Sequence, residues 1–471
     1  MMEKQKRRAA VHNLGCKVNA YETEAMQQLL EEAGYEIVAF EEKADVYLIN
    51  TCSVTNMADR KSRQMLHRAR KQNPDAVIVA AGCYVQEEQE AVLSSGDADL
   101  IIGNNQKSRL VQLLETYWNE KERRAAGADQ EEHAGQSAGN ENRLTEAAVL
   151  DMSHVKEYEE LSLNRTAEHT RAFIKIQDGC NQFCSYCIIP YMRGRIRSRA
   201  LPDILAEVER LAAAGYKEVV LTGIHLSSYG KDLEEPASLL EVIRQTAQVG
   251  GIERIRLGSL EPGIITEDFV KELASVRQVC PHFHLSLQSG CDATLRRMNR
   301  HYTTAEYEEK CRLIRRYFEH PAITTDVIVG FPGETEQEFL ETLSFLKKIQ
   351  LYEIHVFKYS ARKGTKAAGM PDQVPEQEKS SRSHVVLQTA GRMTDAFHYY
   401  YRDKTVEVLF EEARQFGLDT YVTGFTREYV KVAVKETEEN RDMLTPGTVR
   451  TVKITGVLDD RLLSASLAPN G

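Results

Sequence analysis

The sequence predicts an α/β protein in three parts: an N-terminal open parallel sheet, a central partial (β/α) barrel and a small C-terminal all-β barrel. Short apolar runs alternate with helical patterns over residues 1–118. The same alternation recurs six times between residues 171 and 400, and closely spaced strands replace it from 401. With 471 residues, 42% hydrophobic and 28% charged, the chain has material for several ordinary cores. It contains no run of about eighteen apolar residues and its N-terminus lacks a signal-peptide pattern, so a cytoplasmic protein with no membrane span is expected. Nine cysteines in a reducing compartment point to metal ligands or buried thiols rather than disulfides. The net charge of −10 argues only weakly against a nucleic-acid partner, because an acidic segment can sit apart from a basic surface.

In residues 1–118, three β-rich runs each end in a cysteine: RAAVHNLGC at Cys16, ADVYLINTC at Cys52 and AVIVAAGC at Cys83. Helical patterns follow over Tyr21–Gly34, Asn56–Gln72 and Gln86–Ser94. Strand–helix alternation implies parallel pairing, and ligands of such sheets bind beyond the carboxyl ends of the strands. All three thiols are expected on that crest, where strands about 4.8 Å apart would bring them within reach of one cluster. Gly15 and Gly82 would let the backbone turn there. Buried cysteines acting as small hydrophobes are the alternative. The basic segment Arg60–Lys71 lies on the second helix, as a solvated face or a phosphate-contacting surface.

Residues 119–170 are rich in Ala, Gly, Glu and Asn without periodicity and are expected to form a flexible linker.

The barrel region, 171–400, opens with the strand TRAFIKIQ and then CNQFCSYC, which carries Cys180, Cys184 and Cys187. Thiolates at this spacing suit an iron–sulfur cluster or zinc. A closed structural zinc site has four protein ligands, so three ligands leave a position open for chemistry. A zinc knuckle lacking a partner is the alternative. Candidate strands follow at 217–223, 253–259, 282–288, 322–330 and 352–357, with helices at Leu201–Ala214, Thr304–Phe318 and Thr335–Lys348. Active sites of such barrels lie at the C-terminal strand ends. In Arg193, Arg195, Arg197 and Arg199 the alternation would place four guanidiniums on one face of an extended segment. There they could contact RNA phosphates or form a salt-bridge ladder. Cys280, Cys291 and Cys311 lack close partners and are expected to be structural.

Residues 401–471 hold five short strands: TVEVLFEEA, DTYVTGF, YVKVAV, TVRTVKITGV and RLLSASL. Their spacing suits a small barrel. The segment has ten Lys/Arg against twelve Asp/Glu, so RNA binding would rest on a local patch such as Tyr421, Phe425, Arg427, Tyr429 and Lys431.

The CxxxCxxC spacing, with Tyr186 before the last cysteine, resembles the signature of the radical S-adenosylmethionine (SAM) enzymes. HFHLSLQSGCDATLRRMNRHYT, TTDVIVGFPGET and CIIPYMRGRIRSR resemble the methylthiotransferases. That family joins an N-terminal three-cysteine domain, a radical SAM barrel and a C-terminal TRAM domain. The resemblance covers the chain except the linker. It implies two 4Fe-4S clusters: Cys180, Cys184 and Cys187 binding the one that cleaves SAM to a 5′-deoxyadenosyl radical, and Cys16, Cys52 and Cys83 binding an auxiliary one. Tyr186, Gly223, Gln288, Asp326 and Gly330 would line the SAM pocket. The implied partners are a tRNA anticodon stem-loop, an electron donor and a sulfur source. NLGCKVNAYETE and HVFKYSARKGTKAA look most like the branch that methylthiolates carbon 2 of N6-threonylcarbamoyladenosine at tRNA position 37. Branches acting on isopentenyladenosine or a ribosomal protein are alternatives, as is an RNA-binding iron–sulfur protein without sulfur-insertion activity.

Overall fold

The computed structural model describes residues 6–125, 146–165, 170–235, 237–459 and 461–468. The chain divides into two compact units. One comprises Met1–Leu163, Asp178–Gln182 and Cys187–Arg197; the other comprises Asn164–Gln177, Phe183–Tyr186 and Ser198–Gly471.

The first unit is built on one sheet of β1 (Arg8–Asn13), β2 (Glu36–Val38), β3 (Val46–Thr51), β4 (Val77–Gly82), β5 (Leu100–Ile102) and β6 (Glu146–Ala148). The order is β2-β1-β3-β4-β5-β6, and every pairing is parallel. VYLINT and VIVAAG are buried along their whole length, which is why they read as unbroken apolar runs rather than alternating ones. Successive side chains serve two cores. Tyr47, Ile49 and Ile78 pack with Leu66 of the helix Asn56–Gln72. Val46, Leu48 and Val79 pack with Met26 and Leu30 of the helix Lys17–Glu32, and with Leu110 and Leu113 of the helix Leu110–Ala125.

The linker expectation needs correcting at both flanks. The helix from Leu110 runs on to Ala125 because its Leu110, Leu113, Leu114 and Tyr117 are buried against the sheet. Glu146–Ala148 then pairs with β5, supplying backbone partners to an edge that would otherwise be open. Residues 126–145 and 166–169 of the expected linker lie outside the described residues.

In the second unit, β7 (Arg171–Asp178), β8 (Arg197–Ser198), β9 (Glu218–Gly223) and β10 (Arg254–Leu257) form a sheet ordered β10-β9-β7-β8. A second sheet holds β11 (His282–His284), β12 (Ala322–Val329) and β13 (Glu353–Lys358). Single parallel bridges, Ile255 to Val279 and Leu260 to Leu285, join the two into an open barrel. HFHLSLQ was expected as one strand, but regular pairing stops at His284. Beyond it Gln288 has φ 68°, a left-handed conformation that interrupts a ladder. The helices Thr304–Tyr317 and Glu336–Ile349 both start from capping boxes, at Thr303/Glu306 and Thr335/Glu338.

A helix not anticipated from the sequence, Glu376–Tyr399, leads from the barrel to the C-terminal strands. These are β14 (Thr405–Phe416), β15 (Asp419–Thr426), β16 (Lys431–Lys435), β17 (Val449–Asp459) and β18 (Leu462–Leu467), closed in the order β14-β15-β16-β18-β17. Their core of Val408, Phe410, Val432, Val434, Val452 and Ile454 continues into Tyr352 of the barrel.

Candidate metal and cofactor centre

The first three cysteines meet as the sheet register requires. Thr51 pairs with Gly82 and Asn13 with Asn50, so Cys52 and Cys83 leave adjacent strands at the same level, and Cys16 follows three residues after β1. Gly15 and Gly82 have φ of 112° and 95°. A Cβ at Gly15 would lie 2.9 Å from Cys52 Sγ, and one at Gly82 would lie 2.5 Å from Asn50 Oδ1, so both turns are shaped for glycine. Cys52 and Cys83 are buried and Cys16 keeps exposed surface. Burial pushes the Cys52 thiol up to about 12, and the nearby Cys83 and Cys16 add to the effect. Holding Cys52 as a thiolate therefore calls for a cation beside it.

Polar groups surround this triad. Cys16 Sγ lies 3.9 Å from Asn19 Oδ1, and Asn104 Nδ2 donates to Cys83 Sγ at 3.7 Å. Arg193 is fully buried. It donates to Asn19 Oδ1 at 2.8 Å, to both carboxylate oxygens of Glu22 at 2.9 and 3.0 Å, and to Asp178 at 3.1 and 3.2 Å. Its Nε–H has no hydrogen-bond partner among the described residues. Three soft donors, glycine turns that leave room and an orphaned buried N–H fit an iron–sulfur cluster with one iron not bound by cysteine.

Within each unit, hydrogen bonds hold the part of the CNQFCSYC loop that belongs to it. In the first unit, Cys180 N–H donates to Gly194 O at 3.1 Å. In the second, Ser185 N–H donates to Met298 O, Asn299 Nδ2 to Phe183 O, and Ala367 N–H to Ser185 O. Arg300 Nη1 donates to Cys184 Sγ at 3.2 Å, while its other nitrogens bind Tyr302 Oη and Glu261. A buried cation bonded to the middle thiol suits a ligand that works as thiolate. Arg300 lies within a motif quoted above, and nothing in its spacing marked it as a thiol partner.

Of the five expected SAM-pocket residues, Gly223 and Gly330 lie at or just past strand ends, Gln288 follows β11 by four residues, Asp326 is inside β12 and Tyr186 is in the cysteine loop. Gly223 ends β9, where a Cβ would meet Gln177 at 2.9 Å. Gln288 N–H donates to Asp326 O and Gln288 O accepts from Ile328 N–H, which ties Gln288 directly to Asp326. Gly330 N–H donates to Glu334 Oε1, and the neighbouring Phe331 ring packs edge-on against Tyr186, with centroids 6.5 Å apart. Thus Gln288 meets Asp326, and Tyr186 meets the Gly330 turn. Sequence reasoning missed His284 and His355, which join Asp326 in a cluster on β11, β12 and β13. Only the strand register, which aligns Asp326 with His355, reveals it.

Of two surfaces expected to contact RNA, the arginine run requires correction. Arg193, Arg197 and Arg199 are buried, and only Arg195 is exposed. Arg197 donates to the carbonyls of Arg193 and Arg195, and Arg199 pairs with Glu207. Continuous extended backbone would have aligned the four, but Gly194 turns at φ 71° and only Arg197–Ser198 is a strand. In the C-terminal barrel, Phe425 and Tyr429 stack at 4.4 Å, and Arg171 lies over both rings. Arg427 donates to the carbonyls of Arg277 and Val279. Phe425, Arg427 and Tyr429 join the C-terminal barrel to the central one and are half-buried, as are Tyr421 and Lys431. The basic helix instead presents Arg60, Lys61, Arg63, Arg68 and Lys71 to solvent. Cys280, Cys291 and Cys311 are buried.

Residues 8–103 match the family described as Uncharacterized protein family UPF0004, and residues 174–346 match the Radical SAM superfamily. The chain is 39% identical over 446 residues to threonylcarbamoyladenosine tRNA methylthiotransferase MtaB of Bacillus subtilis, covering 94% of this chain and 93% of that protein. It is 35% identical over 429 residues to a tRNA-2-methylthio-N(6)-dimethylallyladenosine synthase of Acetivibrio thermocellus, covering 90% and 84%. A solved radical SAM methyltransferase, TsrM of Kitasatospora setae with cobalamin and a 4Fe-4S cluster bound, shares the fold at TM-score 0.55 and 17% identity, covering 77% of each chain. The chain belongs to the radical SAM methylthiotransferase family, enzymes that use SAM and two 4Fe-4S clusters. No helix among the described residues is long and apolar enough to cross a membrane.

Proposed function

We propose that the protein methylthiolates carbon 2 of N6-threonylcarbamoyladenosine beside the tRNA anticodon. The observation that carries this is the 39% identity to a threonylcarbamoyladenosine enzyme, spread over 94% of the chain. Cys180, Cys184 and Cys187 hold the cluster that binds SAM, and Cys16, Cys52 and Cys83 hold the auxiliary cluster. With both groups bound, the centre supplies a carbon-centred oxidant for an unactivated C–H bond and a sulfur to replace the hydrogen. The remaining work belongs to the chain. Arg300 holds Cys184, the Gln288–Asp326 bridge and the Gly330 turn shape the SAM pocket with Gly223, and Tyr186 forms an apolar wall with Phe331. Arg195 and the exposed cations of Arg60–Lys71 contact tRNA backbone. An electron donor and a sulfur source complete the system.

The test is reconstituted protein with reductant, SAM and tRNA carrying threonylcarbamoyladenosine. Methylthiolated product and 5′-deoxyadenosine are expected, with Cys16→Ala/Cys52→Ala/Cys83→Ala retaining 5′-deoxyadenosine formation but losing product. Modification only of tRNA carrying dimethylallyladenosine would reassign the substrate.

A further inference from the structure

Arg193 is a fully buried cation with one N–H left without an acceptor among the described residues. Around it lie Glu22, Asp178, Lys107 and Arg197, all essentially without solvent exposure. Lys107 Nζ reaches Glu22 at 3.0 Å, and Arg197 reaches Asp178 at 3.8 Å. Glu22 is thus shared by Arg193 and Lys107, and Asp178 by Arg193 and Arg197. A buried donor without an acceptor is unfavourable, so an acceptor is expected beside any such group. The same arginine keeps its Nε–H unpaired in the interior. Geometry indicates where the missing acceptor sits. Asn19 links Arg193 to Cys16, and Asn104 links Cys83 to the carbonyl of Met192, one residue before Arg193. A three-thiolate cluster carries net negative charge and exposes sulfur acceptors, supplying the missing acceptor on an atom that favours a cation.

We propose that Arg193 is the charge partner of the cluster held by Cys16, Cys52 and Cys83, donating its Nε–H to a sulfur of that cluster. Its role is positioning and redox tuning. The inference rests on the auxiliary site proposed above and adds what holds that site in charge balance. Arg193 also serves the second triad's loop, because Asp178 precedes Cys180 by two residues and Gly194 O accepts the Cys180 N–H. One side chain thereby fixes the auxiliary cluster against the root of the SAM-binding loop. A donated N–H and a nearby positive charge withdraw electron density from the sulfurs and favour the reduced cluster.

The experiment uses full-length protein carrying Cys180→Ala/Cys184→Ala/Cys187→Ala, reconstituted with ferrous iron and sulfide, so that one cluster is observed. Its midpoint potential is read by redox titration monitored by electron paramagnetic resonance, and its retention by iron loss to a chelator. Arg193→Gln is expected to shift the potential negative and speed iron loss, with Arg193→Lys in between. Glu22→Gln removes a neighbouring negative charge and is expected to shift the potential positive. That opposite sign cannot arise from general damage, and it carries the test if Arg193→Gln does not fold. Unchanged potentials, or shifts of the same sign in Arg193→Gln and Glu22→Gln, would overturn the proposal. Absence of iron from the parent variant would overturn the auxiliary site and this inference with it.

Discussion

Arg300 donates to the Cys184 thiol, to Tyr302 and to Glu261, so the guanidinium is spent on positioning and offers no free fork to substrate. Tyr302 Oη donates to the carbonyls of Ser286 and Leu287, which extends the chain of bonds to the segment just before Gln288. The middle cysteine and the SAM-pocket bridge are therefore coupled through two side chains. Replacing Arg300 by Met should shift the potential of the Cys180–Cys184–Cys187 cluster negative, because a donated N–H and a cation are lost. It should also cost about 1–3 kcal/mol through the unpaired Glu261. Redox titration and urea unfolding check the two effects, and an unaltered potential would show that the bond to Cys184 is incidental.

At the scale of elements, three parallel strands deliver three thiols, and glycine turns make the delivery possible. Gly82 has φ 95° and ψ −154°, a region essentially reserved for glycine, and its missing Cβ leaves space against Asn50 and Thr51. Gly82→Ala should lose about 1–3 kcal/mol of stability from backbone strain alone and should retain less iron. Gly34 is also left-handed, at φ 89°, but faces open space, so Gly34→Ala should lose stability without losing iron. Urea unfolding and iron analysis of the two variants check this contrast. The strands were legible because β3 and β4 are buried on both faces and leave a continuous apolar signature. The three-residue strands β2, β5 and β6 were not, because their pairing depends on edges that other strands provide. The helix Glu376–Tyr399 escaped notice because it mixes buried Arg382, Thr389, Thr394 and His398 with its few apolar contacts.

At the scale of the whole molecule, the second unit encloses an ionic joint between its two barrels. Arg254 and Arg256 pair with Glu218 and donate to the carbonyls of Glu407, Phe425, Thr426 and Arg427. Burial alone would push the Glu218 carboxyl up, but Arg256, Arg171 and Arg254 hold it below its ordinary value. A depressed carboxylate contributes stability that is complete above its unfolded value and is lost as pH falls through its folded value. Below about pH 4, the ordinary glutamate range, the joint should weaken progressively, and Glu218→Gln should remove that part of the acid dependence. Thermal unfolding followed against pH checks the slope. This joint leaves Phe425 and Tyr429, which the sequence marks as candidates for stacking on RNA, half-buried. Spacing shows which residues share an element and not which domain closes over them. The six proposed cluster cysteines were legible because ligation demands thiols at strand ends and in a short loop. Arg193 and Arg300 were not, because buried ion pairs leave no periodic trace.

The central claim is the identity of the modified nucleoside. Mass analysis of tRNA nucleosides from cells with and without this protein tests it most directly. The 2-methylthio form of N6-threonylcarbamoyladenosine should disappear without the protein, and its unmodified precursor should accumulate. Unchanged levels of that nucleoside, or loss of the dimethylallyladenosine product in its place, would contradict the account.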